Sequence, residues 1–347
     1  MKRRSFLKVV GGVTGGVAMG ISPTLVSEAE SVANAARGEM PKRVLGRTGL
    51  KVSVVAFSGL ALTHYEQEKC DAGVRQAFEQ GLNYFDVAPA YGKDGDCEIK
   101  LGKALQSLKR GDYILSCKTK ARDGEGCRRE LERSLTRLKT DHFDLYQLHH
   151  LVKPEDVKKA LGPGGAMETI LKAKEEGKIR GIGFSAHTTK AALAALNGFN
   201  FDTVMFPISF AEYYARGFGK EVLALAKEKG AAVLSIKTLH SGAWPQGVEP
   251  TRKWWYRPLE KQDEINLAYR WTLSLPGVVA GFPPSFLDLQ EKAIAAGLAY
   301  RPATEADAKQ LEEMAKDTKS VFKREEDSVA YHSPYPHHPH ECGGEWA

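Results

Sequence analysis

An α/β fold of the (β/α)8 type, the TIM barrel, is what this sequence predicts, and three observations predict it. Eight short apolar runs alternate with eight amphipathic stretches along the chain. The apolar runs are continuous rather than alternating, as parallel strands covered on both faces require. No GxGxxG turn follows the first run, where AFSGLALTHY stands instead, and this argues against a doubly wound sheet. The length of 347 residues is ordinary for one such barrel and does not demand two domains.

The elements follow in order. KRVLGRTGLKVS, from Lys42, reads as two short strands turning at Gly46-Arg47-Thr48-Gly49. Barrel strands are expected at VSVVAF from Val52, LNYFDVA from Leu82, YILSCK from Tyr113 and FDLYQLH from Phe143. The other four are IRGIGFS from Ile179, TVMFPI from Thr203, AAVLSIK from Ala231 and GVVAGF from Gly277. Helical patterns such as CDAGVRQAFEQG, AMETILKAKEEG and GKEVLALAKEKG lie between them and end in glycine, as helix C-termini prefer. TEADAKQLEEMAKDT adds a helix after the eighth unit.

Composition narrows the function classes. The chain is 42% hydrophobic and 27% charged, with a formal charge of +6. That charge suits small anions but forms no basic stripe of the kind nucleic acid needs. Cys70, Cys97, Cys117, Cys127 and Cys342 lack CxxC spacing, so no zinc ribbon, iron–sulfur cluster or disulfide framework follows from them.

The N-terminus reads as a targeting segment. Arg3 and Arg4 precede Ser5-Phe6-Leu7-Lys8, a weakly apolar run from Val9 to Val26 carries five glycines, and Ala33-Asn34-Ala35 offers a small-x-small cleavage pattern. Together these resemble a twin-arginine export signal. The expected organisation is a signal over residues 1–35, a barrel over 40–325 and a tail over 326–347. The expected location is periplasmic, with the export machinery as a partner and membrane contact only in transit or through an uncleaved signal.

Chemistry in such a barrel sits where strands end at their C-terminal edge. Asp86 ends the second strand, Lys118 the third and His149 the fourth, and Tyr91 follows the second. His150, next to His149, should point to the other face of a regular strand. These segments, FDVAPAYG, SCKTK, DLYQLHH and IRGIGFSAH with the opening LGRTGLKVS, resemble the aldo-keto reductase family from about Met40 to about Gly297. The resemblance implies reversible hydride transfer between a nicotinamide cofactor and a carbonyl. It implies Tyr91 as acid and base, Lys118 and Asp86 as its supports, and His149 as carbonyl ligand. A cationic lysine beside a phenol lowers its pKa from about 10.

On the cofactor side the resemblance implies Gly59, Ser185, Lys237, Ser285, Glu291 and Lys292. The family pattern is incomplete there. Ala186 stands where Asn is common, Met205 where Gln is common, and nothing basic lies between Ser285 and Leu289. NADP is the expected cofactor on family grounds, with NAD the alternative. On the substrate side Tyr65, Trp244, Trp254 and Trp255 are the candidates, and indoles beside a site suit sugar-like or aromatic carbonyl and alcohol substrates. No metal ligands are assigned. The imidazoles of His337, His338 and His340 with Cys342 are interrupted by prolines and lack a second ligand cluster. The competing function is a barrel with little or no catalysis, used as a scaffold for a ligand or partner.

Overall fold

The computed structural model describes residues 23–329, with side chains from 30 onward. The twin-arginine motif and the histidine-rich tail fall outside the described residues. Helix α1, Pro23–Ala36, contains the Ala33-Asn34-Ala35 stretch. Its Ser31 hydroxyl donates to the Lys42 carbonyl at 3.4 Å.

Strands β1 (Lys42–Val44) and β2 (Lys51–Ser53) pair antiparallel. Gly49 at φ 73° ends the turn between them, a conformation glycine adopts without a Cβ penalty. Eight parallel strands follow: β3 (Phe57–Ser58), β4 (Tyr84–Asp86), β5 (Ile114–Thr119), β6 (Phe143–Leu151), β7 (Ile179–Ala186), β8 (Thr203–Pro207), β9 (Ala232–Ile236) and β10 (Val278–Gly281). The Ala56 amide donates to Gly281 O at 3.1 Å and the Gly281 amide to Val54 O at 2.9 Å, so the last strand meets the first. All eight expected strands are present. The first starts later than expected, because Val52 and Ser53 are spent on the hairpin.

The helices between them are α2 (Gln67–Glu79), α3 (Asp96–Ala104), α4 (Gly124–Leu138), α5 (Pro154–Leu161), α6 (Ala166–Glu175), α7 (Thr189–Gly198), α8 (Phe210–Arg216), α9 (Lys220–Lys229), α10 (Gln262–Leu273) and α11 (Leu287–Leu298). Helices α12 (Glu305–Ala315) and α13 (Lys323–Ser328) complete the described chain. Sequence periodicity missed α5, α8 and α13, which are too short to repeat an apolar face twice. Among the described residues no helix is long and apolar enough to cross a membrane.

Two cores result. The larger packs the outer faces of the strands against the helices, with Phe85, Leu115, Cys117, Tyr146 and Leu148 among its residues. The smaller fills the barrel and includes Leu45 and Val52 from the hairpin beside Tyr84, Leu145, Met205 and Leu234. Strand alternation then dictates what lies above this plug. Asp86 follows Tyr84 on the inner face of β4, and Gln147 and His149 follow Leu145 on that of β6. Ser116 and Lys118 line the inner face of β5, opposite the outward Leu115 and Cys117. The barrel interior is therefore apolar below and ionisable at its C-terminal rim.

Candidate active site

The rim brings Asp86, Lys118, Tyr91 and His149 together. Lys118 is fully buried and ion-pairs with Asp86. Its ammonium also donates to Val87 O at 3.2 Å and to the Tyr91 hydroxyl at 3.2 Å. Three acceptors thus take the three donors of one ammonium. Gln147 fixes the base of the group by donating to Ser116 Oγ at 2.9 Å and to Asp86 Oδ1 at 3.4 Å. The His149 ring meets the Tyr91 ring edge-on, 5.6 Å between centroids.

Electrostatics follow from burial and neighbours. Burial raises Asp86, and Lys118 opposes that rise. Burial pulls Lys118 down, yet the Asp86 carboxylate and the hydrogen bond to the Tyr91 oxygen outweigh it, so the lysine stays cationic. Burial raises the Tyr91 phenol and Lys118 only partly offsets it, so the net direction is upward. The expected net lowering by lysine is corrected here: desolvation wins. His149 is held well below the usual histidine value by burial, with repulsion from Lys118 and Lys120 added. Neutral His149 and protonated Tyr91 are therefore the forms present at neutral pH.

These groups open into a cleft of about 650 Å³, part of it continuous with solvent. Ser185, Lys237, Ser285 and Trp254 line it, as the sequence proposes. Ser185 accepts the His150 amide at 2.8 Å, and Ser285 lies 3.2 Å from Ser58 between hydroxyls. Lys237 has a left-handed backbone, φ 63°, and burial lowers its ammonium to about 8.

Other predicted residues do not line the cleft. Gly59 is buried behind it, where a Cβ would lie 2.6 Å from Asp86 O, so its role is close packing against β4. Glu291 borders a separate shallow depression with Gly73 and Gln76. Lys292 is committed to Glu260 O at 2.6 Å. The Tyr65 hydroxyl accepts the Leu287 amide at 3.3 Å, and Trp244 donates to Trp254 O at 2.7 Å, bracing the loop. Trp255 is 37% exposed and packs edge-on to Tyr256.

His150 departs from alternation. Its φ is 58°, and the β6–β7 register shifts between Leu148 and Leu151. This bulge turns the backbone, and the His150 ring lies 4.3 Å from that of His187. Sequence reasoning also missed Ser58 and Phe282 as lining residues. A small polar residue ending one strand and an aromatic ending another carry no motif of their own. The four described cysteines are buried and unpaired.

The loop between β9 and α10, residues 237–261, roofs one side of the cleft. Arg252 bridges it to α11, donating to Asp288 Oδ1 at 3.0 Å and Oδ2 at 2.5 Å, and it also pairs with Glu260. Bidentate pairing of this kind fixes orientation as well as distance.

Comparison with known proteins agrees with this fold. The chain matches the Aldo/keto reductase family over residues 56–320. It is similar to an L-galactose dehydrogenase of Arabidopsis thaliana, 32% identical over 216 residues, which are 58% of this chain and 66% of that protein. It is also similar to a 6-dehydroglucose reductase of Novosphingobium aromaticivorans, 32% identical over 176 residues, 45% of this chain and 55% of that one. The match thus spans between half and two thirds of these relatives' length. An aldo-keto reductase structure from Bacillus halodurans, in its holo form, superposes with a TM-score of 0.64 at 26% identity. It covers 82% of this chain and 99% of that one. From the barrel, its rim and these matches together, the chain belongs to the aldo/keto reductase family of NAD(P)-dependent oxidoreductases.

Proposed function

We propose that this chain reduces a carbonyl to an alcohol, or runs the reverse, with Tyr91 as the proton donor and acceptor. The observation that carries the reading is the Lys118 ammonium 3.2 Å from the Tyr91 hydroxyl, itself ion-paired to Asp86 at the bottom of an open cleft. In reduction, Tyr91 gives its proton to the carbonyl oxygen as negative charge develops there. Lys118 stabilises the phenolate left behind, and Asp86 keeps that lysine charged without water. His149, neutral, orients the carbonyl by donating one N–H.

The cleft fits a nicotinamide cofactor chemically. Met205, Ile236 and Phe282 present apolar surface for a flat ring, while the Ser185 hydroxyl and the Lys237 ammonium are polar groups suited to a carboxamide and a phosphate. When bound, the nicotinamide supplies or accepts the hydride. NADP is the preferred form, with Lys237 its main support, because Arg252 and Lys292 are already engaged. NAD is the alternative, and separate titrations with NADPH and NADH decide.

Sugar-like or aromatic substrates suit Trp254 and Tyr256 in the lining. The sugar names of two relatives point the same way. Export by the twin-arginine route is supported by Arg3 and Arg4 with the segment after them. Cell fractionation of the native chain against an Arg3→Lys/Arg4→Lys variant tests it, and equal cytoplasmic retention of both would sink it.

The catalytic reading is tested by Tyr91→Phe. Carbonyl reduction should fall by about 10²–10⁴-fold while NADPH binding, followed by fluorescence, is kept. Full activity in that variant would refute the role.

A further inference from the structure

We infer that His150, His187 and Glu325 form a binding site for a divalent transition-metal ion, zinc being the best match. One ligand atom from each residue lies within 4.8 Å of the other two. The three come from different elements: the end of β6, the turn after β7, and α13. Their convergence is built, not incidental. The His150 amide donates to Ser185 Oγ at 2.8 Å, and the His187 amide donates to Leu151 O at 2.9 Å. These bonds tie the two strand ends together and set the rings 4.3 Å apart and 71° to one another.

The carboxylate is placed to receive a cation. Glu325 Oε2 is buried, has no hydrogen-bond partner, and lies 3.7 Å from His187 Nδ1, too far for a hydrogen bond. A buried carboxylate oxygen and two imidazoles are the donor set zinc prefers, and three protein ligands leave one position for water. A tetrahedral zinc with bonds of about 2.0–2.2 Å keeps its ligands roughly 3.3–3.6 Å apart. The three atoms thus need to close by about 1 Å, within the reach of side-chain rotation.

Three cations act on the group, with Arg122 reaching His150 alone and Asp156 opposing it there. Lys237 lies near enough to act on His150, His187 and Glu325, and Lys120 acts on both histidines. They weaken the site without blocking it, and they give it a signature: removing Lys237 should tighten metal binding. The consequence of occupancy is mechanical. The ion clasps α13, the last described helix, onto the rim beside the cleft, whose wall includes His187.

The test uses the full chain, stripped with a chelator and then titrated with zinc by calorimetry and with cobalt by visible absorption. His337, His338 and His340 are changed to alanine and Cys342 to serine in a parallel background, because those residues also attract metals. In the background without the tail ligands one equivalent should bind, with cobalt bands of a low-coordinate site, and in both backgrounds the melting temperature should rise with zinc. Glu325→Gln, at a side chain 39% exposed, and His150→Asn, which tolerates the left-handed backbone, should each weaken zinc at least about tenfold. Lys237→Met should strengthen it. Binding lost with the tail substitutions but unchanged in Glu325→Gln would overturn the site, as would no zinc-dependent melting shift in either background.

Discussion

The rim tetrad and the loop over it are built in opposite ways. Asp86 and Lys118 stand on the inner faces of parallel strands, and His149 follows on the next strand, so strand pairing sets their spacing. The roof, residues 237–261, is paired only at its base, by one antiparallel bridge between His240 and Pro258 with the Ser241 amide on Arg257 O at 2.9 Å and the Leu259 amide on Leu239 O at 2.8 Å. Its tip is held by side chains: Arg252 on Asp288 and Glu260, and Trp244 on the Trp254 carbonyl. The first arrangement costs a buried charge pair and gives fixed geometry. The second costs little and is open to change. In the proposed reaction chemistry then sits on the scaffold and selectivity on the roof, the usual division in barrels.

The largest expected effect breaks the scaffold half. Lys118→Met leaves Asp86 buried and uncompensated, so stability should fall by about 3–5 kcal/mol in a denaturant titration. Adding Asp86→Asn should restore most of it. A near-neutral single variant would show that the pair is not desolvated as described.

A smaller effect probes the roof. Trp254→Ala removes an aromatic wall that packs on Phe286 and Tyr256, at 5.4 and 5.8 Å between centroids. KM should rise several-fold to about tenfold with kcat little changed, since one aromatic contact contributes about 0.5–1.5 kcal/mol. A fall in kcat alone would move Trp254 into the chemistry. Smaller again, Arg252→Ala should cost about 1 kcal/mol or less in global stability, because its partners are partly exposed. It should still speed proteolytic cutting within 237–261, and an unchanged cleavage rate would mean the clamp does not hold the roof.

The last prediction is a flat line. His149 is depressed well below 6.5, so it gains a proton only in acid, and Tyr91 is raised above 10, so it loses its proton only in strong base. The pH profile of kcat/KM for reduction should lack an inflection between about 6 and 7, below the range in which Lys237, lowered to about 8, titrates. A limb near 6.5 would place a titrating imidazole in the reaction.

The same contrast explains how much was legible beforehand. The eight strands and the tetrad were readable because apolar runs and strand-end positions are local signals. Ser185, Lys237, Ser285 and Trp254 also line the cleft where they were expected. Lys292 and Tyr65 were not placeable, since each is decided by a partner far along the chain. Lys292 is taken by Glu260, and Tyr65 by the Leu287 amide, 222 positions away. His150 failed for another reason: a bulge flips alternation, and no residue type announces it.

The buried aspartate–lysine pair has a consequence for descent. Neither partner is replaceable alone without stranding the other, so a lineage drifting away from hydride chemistry would retain both by default. Tyr91, only partly buried, is bound by no such mutual hold and would be first to vary. Under the proposed proton transfer, the phenol, more than the salt bridge, is the residue whose persistence would record selection for turnover.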